Sequence, residues 1–148
     1  MSDETNILSL MKNDHCKIEN LLDELEEKSK QGFDSMKNAF QKFEWELEKH
    51  IFIEEKAIFT DYNPDDIAEG YKMLPELTEQ HNFIINKLNN WRKDVNNNRS
   101  IDDVYSFKEF LRNHRNFEEE KVYPKLNESI NEKQKREIVA KINEIVQK

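Results

Sequence analysis

Residues 33–60, FDSMKNAFQKFEWELEKHIFIEEKAIFT, decide the fold class. Phe33, Met36, Phe40, Phe43, Leu47, His50 and Glu54 follow one another at alternating steps of three and four. Because 3.6 residues make one turn, that period places all of them on one face of an α-helix. No glycine or proline interrupts the run, and Gly32 stands just before it as the stop of a preceding helix. The face is apolar until its last turn. There an imidazole and a carboxylate, four residues apart, point the same way.

The same period extends outward in both directions. A first helix from about Thr5 to Gln31 carries Leu8, Met11, His15, Ile18, Leu22 and Leu25. The second helix is expected to reach Thr60. Asp61 to Asp66 then reads as a turn, with Asn63-Pro64-Asp65-Asp66 as a helix start. Gly70 and Pro75 predict a break before the main part of a third helix, which carries Leu74, Leu77, His81, Ile84 or Ile85, Leu88, Trp91 and Val95. Ser100 and Asp103 have capping-box spacing ahead of a fourth stripe, Val104, Phe107, Leu111, His114 and Glu118, and Pro124 ends or kinks that helix. Ser129 and Glu132 repeat the spacing before a shorter helix with Ile138, Ile142 and Ile145. The expected fold is all-α, an antiparallel four-helix bundle with an additional short C-terminal helix along its outside or over one end. A single domain should span residues 1–148, with the bundle at about 5–127 and the extra helix at about 130–147.

Composition agrees with this and excludes other classes. Only two Gly and three Pro occur in a chain that is 36% charged, too few breakers for an all-β domain and too few glycines for a phosphate loop. Nine Phe, four Tyr and two Trp provide the apolar bulk that a disordered chain lacks. The net charge is −8 without a basic stripe, so no nucleic-acid partner is expected. Apolar runs such as Ile51-Phe52-Ile53 are far too short for a membrane span. The acidic start Met-Ser-Asp-Glu does not read as a signal peptide, and the single Cys16 can form no intramolecular disulfide. A cytoplasmic location follows as the expectation. Cys16 lies about 100° round the helix from His15 and reads as an inert packed thiol.

The stripes hold residues that do not belong in an apolar core. All four histidines, His15, His50, His81 and His114, fall on them, one per long helix, and Glu54 and Glu118 each follow a histidine by four. Leaving such groups buried and unsatisfied would cost on the order of 10 kcal/mol, comparable to the stability of a whole domain. No Lys or Arg occupies the central levels of the stripes to offset that cost. A metal centre would.

An internal repeat narrows the kind of centre. His50-Ile-Phe-Ile-Glu54-Glu55-Lys-Ala-Ile58-Phe59 aligns with His114-Arg-Asn-Phe-Glu118-Glu119-Glu-Lys-Val122-Tyr123 at His, Glu and Glu, with Ile58/Val122 and Phe59/Tyr123 alike in kind. Two related helix pairs, each offering two imidazoles and one carboxylate, suit a dinuclear centre with bridging carboxylates. Mixed nitrogen and oxygen ligation favours a first-row metal, iron above all. Thiolate zinc sites and the His-Glu-x-x-His motif are absent. Lys12, Leu47, Thr78 and Leu111 stand three before the histidines, which excludes the ferritin-like Glu-x-x-His pattern. Glu19, four after His15, reads as solvated. Phe40, Phe43, Phe107 and Phe117 read as dry lining, and Tyr123, which could redox-couple to an iron, lies beside Pro124 at a helix end and is not counted in the expected site.

Over roughly its first 126 residues the chain resembles the hemerythrin-like HHE cation-binding domains. The resemblance rests on His15, on His50-x-x-x-Glu54-Glu55, on His81, and on His114-x-x-x-Glu118-Glu119 with Val122-Tyr-Pro-Lys-Leu126. It implies a non-haem centre of two iron ions, oxo- or hydroxo-bridged. His15 and His50 would hold one ion, His81 and His114 the other, and Glu54 and Glu118 would bridge, with Glu119 in reserve. One departure matters. Hemerythrins proper carry a second histidine four after the one on the third helix, where this chain has Ile85, so the ion on that side should have an extra open position. The implied function is binding of, or reaction with, dioxygen or a related small oxidant, for sensing, scavenging or iron storage. A di-iron enzyme acting on peroxide or nitric oxide, or repairing iron–sulfur centres, is the second reading, and a metal-free interaction bundle the third.

Overall fold

The structure, a computed structural model, describes residues 7–59 and 67–147, with no side chains described for 67–74 and 147. All regular structure among the described residues is helical. Helix α1 spans Ile7–Ser29, α2 Phe33–Ile53, α3 Ile67–Asn96, α4 Val104–Phe117, α5 Tyr123–Ser129 and α6 Glu132–Gln147. Two five-residue π-helical turns, Glu54–Ile58 after α2 and Glu118–Val122 after α4, carry those helices onward.

The stripes read from the sequence are the faces that are buried. On α1 the buried residues are Ile7, Met11, His15, Ile18, Leu22 and Leu25, so Ile7 takes the place expected for Leu8. On α3 it is Ile84, and not Ile85, that lies fully inside. Gly32 joins α1 to α2 at φ +130, a conformation closed to side-chain-bearing residues although open space surrounds it. The turn at 61–66, the expected ends at Thr5 and Thr60, and the Leu74 side chain lie outside the described residues.

Four local expectations are corrected. Helix α3 runs unbroken through Pro75. A proline removes one backbone bond, and the buried Leu77, His81, Ile84, Leu88 and Trp91 beyond it anchor the helix by packing. Ser100 and Asp103 form no capping box, since Asp103 is itself the cap, in the left-handed region at φ 63 and without a side-chain bond. The reciprocal box at α6 belongs to Asn131 and Gln134: the Gln134 backbone N–H donates to Asn131 Oδ1 at 2.8 Å, and the Asn131 N–H to Gln134 Oε1 at 2.9 Å. The Ser129 hydroxyl instead donates back to the Lys125 carbonyl. Pro124 does not end the helical path, because it sits in the first turn of α5, where its missing N–H costs nothing.

Apolar side chains gather into two clusters. The first joins Ile18, Leu22 and Leu25 to Phe40, Phe43, Leu47, Leu88, Trp91, Phe107 and Leu111. Its aromatic rings meet edge to face, Trp91 at 5.0 Å and Phe43 at 6.2 Å from Phe107. Phe117, expected in this lining, is only half-buried. The second cluster joins Ile7, Met11, Ile53, Ala57, Ile58, Tyr123 and Leu126 to Ile138, Val139 and Ile142 of α6. Helix α6 therefore packs over the π turn of α2 and against α1. Along α1, α2 and α4, the histidines and glutamates lie between the two clusters.

Candidate metal centre

His15, His50, His81, His114, Glu54 and Glu118 are all buried, both glutamates at 0% exposure. Each reaches the interior from the stripe that its spacing assigns it to. His15, His50, Glu54 and Glu118 form one group, and Glu54, His81, His114 and Glu118 a second, with candidate ligand atoms all within 4.8 Å of one another in each. The two carboxylates are common to both groups. The structure thus brings all six of these residues together, in two overlapping groups, or half-sites, that share the carboxylates. The inequality anticipated from Ile85 is not seen in the donors, since each half-site has two imidazoles and both carboxylates.

The histidines share one orientation. Each turns Nε2 inward and Nδ1 toward a polar partner on another helix or turn, or at its edge. His50 Nδ1 meets Asp14 Oδ2 at 2.5 Å, His15 Nδ1 meets Glu119 Oε2 at 2.6 Å, His81 Nδ1 meets Glu55 Oε2 at 3.1 Å and His114 Nδ1 meets Gln80 Oε1 at 2.5 Å. A carboxylate or amide oxygen accepts only from an N–H, so these contacts place a ring proton on Nδ1 and leave Nε2 as the nitrogen turned to the interior, able to ligate once it carries no proton. Arg115 extends one arm, donating to Glu119 at 3.0 Å and to Glu19 at 2.5 Å. Glu19 is therefore a part-exposed side chain, as a solvated residue should be, and also an ion-pair partner.

Inside, the two glutamates play unequal parts. Glu118 offers one oxygen to each half-site: Oε1 lies 2.9 Å from His15 Nε2, and Oε2 lies 3.3 Å from His114 Nε2. Glu54 offers Oε1 alone, 3.3 Å from His50 Nε2 and 3.2 Å from His81 Nε2. Its Oε2 accepts the phenol proton of Tyr123. Tyr123, 1% exposed, is a residue the sequence reading missed. The π turn accounts for its position. The Tyr123 N–H bonds back five residues to the Glu118 carbonyl, just as Phe59 bonds to Glu54 at 2.8 Å. The extra residue in each turn lets the fourth and fifth positions after the glutamate both face inward.

Electrostatics follow from this packing. Burial opposes charge on His50, yet the Glu54 carboxylate, the bond to Asp14 and the nearby Glu118 carboxylate hold its pKa well above the ordinary imidazole value. For His81 burial likewise opposes protonation, but the close Glu118 and Glu54 carboxylates raise the pKa to about 10. Burial would raise Glu118, but His114 and the surrounding bonds hold it well below the usual carboxylate range. Burial, then the charges of Glu118 and Glu54, push the Tyr123 phenol up, so it stays protonated as a donor. The two carboxylates thus favour positive charge on the imidazoles they face.

The donor set fits metal ions. His50 Nε2, His81 Nε2, His114 Nε2, Glu54 Oε1 and Glu118 Oε2 are buried without a hydrogen-bond partner, and they converge on one small volume. Ligands about 2.0–2.2 Å from one ion lie about 3–4 Å apart, in keeping with the spacing here. Cys16 is exposed and not packed, because 100° from His15 on α1 is the solvent side. No described helix is long and apolar enough to cross a membrane.

Comparison with protein families matches residues 6–126 to a profile described as hemerythrin HHE cation binding domain. Comparison with curated proteins and with solved structures gives no match.

Proposed function

The chain belongs to the hemerythrin HHE cation-binding family, and from that premise we propose that it is a non-haem di-iron protein that binds or reacts with dioxygen or a related small oxidant. His15 and His50 hold one ion, His81 and His114 the other, and Glu54 and Glu118 are shared. The observation that carries this reading is the convergence of buried, unpartnered Nε2 and carboxylate oxygen atoms, each imidazole fixed from behind through Nδ1.

The four long helices are read as an antiparallel bundle. Supporting this, α1 runs from the second apolar cluster to the first, while α2 and α4 with their π turns run from the first to the second. Each half-site has four protein donors, which leaves positions of a six-coordinate ion to a small exogenous ligand. A pair of ferrous ions supplies two electrons to an oxidant. The protein's own part is to hold the ligand atoms in place, to keep bulk water out with the apolar layers on both sides, and to present neutral Nε2 donors. A cytoplasmic location suits the exposed free thiol.

The test is rapid mixing of anaerobic ferrous-loaded protein with oxygenated buffer, followed by absorption. The expected result is conversion to a ferric chromophore within seconds. A ferrous form unchanged after hours in air would remove the oxidant-binding role.

A further inference from the structure

The two halves of the repeat are alike in ligands but differ at one position beside them, Phe59 in the first and Tyr123 in the second. Both close a π turn through a bond to the carbonyl of the glutamate five residues earlier. Their rings stack at 6.4 Å with an interplanar angle of 11°, so they occupy paired places beneath the centre. Only the tyrosine carries a hydroxyl, and it crosses to the other half to donate to Glu54 Oε2. Glu118, whose counterpart to that phenol would come from Phe59, keeps both oxygens turned to the histidines.

We propose that Tyr123 is a positioning residue of the metal centre, whose phenol ties up one oxygen of Glu54 so that this carboxylate meets both half-sites through a single oxygen. The inference rests on the proposed metal centre. The alternative arrangement, with one Glu54 oxygen turned to each half-site as those of Glu118 are, would keep the same number of protein donors but change the geometry in which Glu54 presents them. Removing the hydroxyl leaves Glu54 Oε2 buried and without a partner, a costly state for a carboxylate oxygen. Rotation onto the ions is the way to satisfy it. The hydroxyl therefore sets how Glu54 joins the two half-sites without itself contacting an ion.

The experiment uses the full chain loaded with cobalt(II), whose visible absorption reports the geometry of its ligands, and compares the parent with Tyr123→Phe. Phenylalanine already fills the equivalent place in the first repeat, so the ring is accommodated. Leu126→Ala, in the same apolar cluster, serves as the purely structural control. The expected result is equal cobalt content in parent and Tyr123→Phe, with a shifted visible spectrum and a changed affinity for azide as a probe anion in Tyr123→Phe alone. The Leu126→Ala spectrum should match the parent even where its melting temperature falls. A Tyr123→Phe protein that holds cobalt with the parent's spectrum and azide affinity overturns the inference and leaves the metal centre standing. A parent that binds no cobalt or iron overturns both.

Discussion

Replacing Asp14 by alanine should weaken metal binding although Asp14 is not expected to touch a metal. Its Oδ2 lies 2.5 Å from Nδ1 of the buried His50 and fixes that ring with Nε2 pointing inward. Burial alone would raise the Asp14 carboxyl, but the bond and charge of His50 outweigh it and hold the pKa below the ordinary value. The carboxylate is therefore ionised at neutral pH and increases the basicity of the imidazole. Loss of such a partner typically reduces metal affinity about 10- to 100-fold, or about 1.4–2.7 kcal/mol. The same deletion at Glu55 should cost less than about tenfold, because its bond to His81 is longer, 3.1 Å, and its side chain is 49% exposed, so water can replace it. Alanine favours helix at both positions, so the helices themselves should not suffer. The assay is competitive titration of each metal-free variant with ferrous ion against a chelator under anaerobic conditions. Asp14→Asn, whose amide oxygen still accepts the Nδ1 proton, should recover part of the loss. Parent-like affinity in Asp14→Ala, or a larger loss in Glu55→Ala, would refute the claim that the Nδ1 contacts orient the ligands.

Three further outcomes follow from the geometry. His81 has a folded pKa of about 10 against an ordinary 6.5, so its contribution to metal-free stability should be complete below about pH 6.5 and fade as pH rises toward 10. Metal affinity should rise over the same range as protons cease to compete. Melting curves with and without metal should therefore diverge with increasing pH, and converging curves would contradict the assignment of His81 to the centre. Ile85→His should add an imidazole one turn after His81 and tighten metal binding. An unchanged titration and spectrum would mean that half-buried Ile85, which packs on the first apolar cluster, faces away from the ions. Asn131→Ala should destabilise by about 1 kcal/mol through loss of the α6 cap, with Ser129→Ala nearly neutral in thermal melts; the reverse order would restore Ser129 as the capping residue.

Much of the centre is legible in the sequence because burial has a period. His15, His50, His81 and His114 occupy stripe positions where an apolar residue belongs, and Glu54 and Glu118 continue two of those stripes, so their convergence follows from helix geometry. The partners of Nδ1 are harder to read. Asp14 sits beside His15 in the chain but serves His50, Glu119 sits beside Glu118 but serves His15, and Glu55 sits beside Glu54 but serves His81. Each is about 100° from the inward direction, on the flank where another helix packs, and neighbour choice there depends on tertiary packing. The π turns are hidden for a related reason. An α-helix puts the fifth residue after Glu118 about 140° off the stripe, so Tyr123 is placed outside, whereas a five-residue bond back to the glutamate carbonyl brings it in. A usable signal existed: in both repeats the fourth and fifth residues after the glutamate, Ile58 with Phe59 and Val122 with Tyr123, are large and mostly apolar. The capping boxes misled because Ser-x-x-Asp and Ser-x-x-Glu spacing recurs by chance in so acidic a chain, and Asn131 with Gln134 fits the local backbone better.

The central claim is that the six buried side chains are metal ligands and not a hydrogen-bonded core. Elemental analysis of the aerobically purified full chain, beside a His50→Ala/His114→Ala variant, tests it most directly. The account predicts two iron ions per parent chain and little or none in the variant, with helical content retained. A correctly folded parent free of metal and unable to take it up, or a variant that keeps its full iron content, would contradict it.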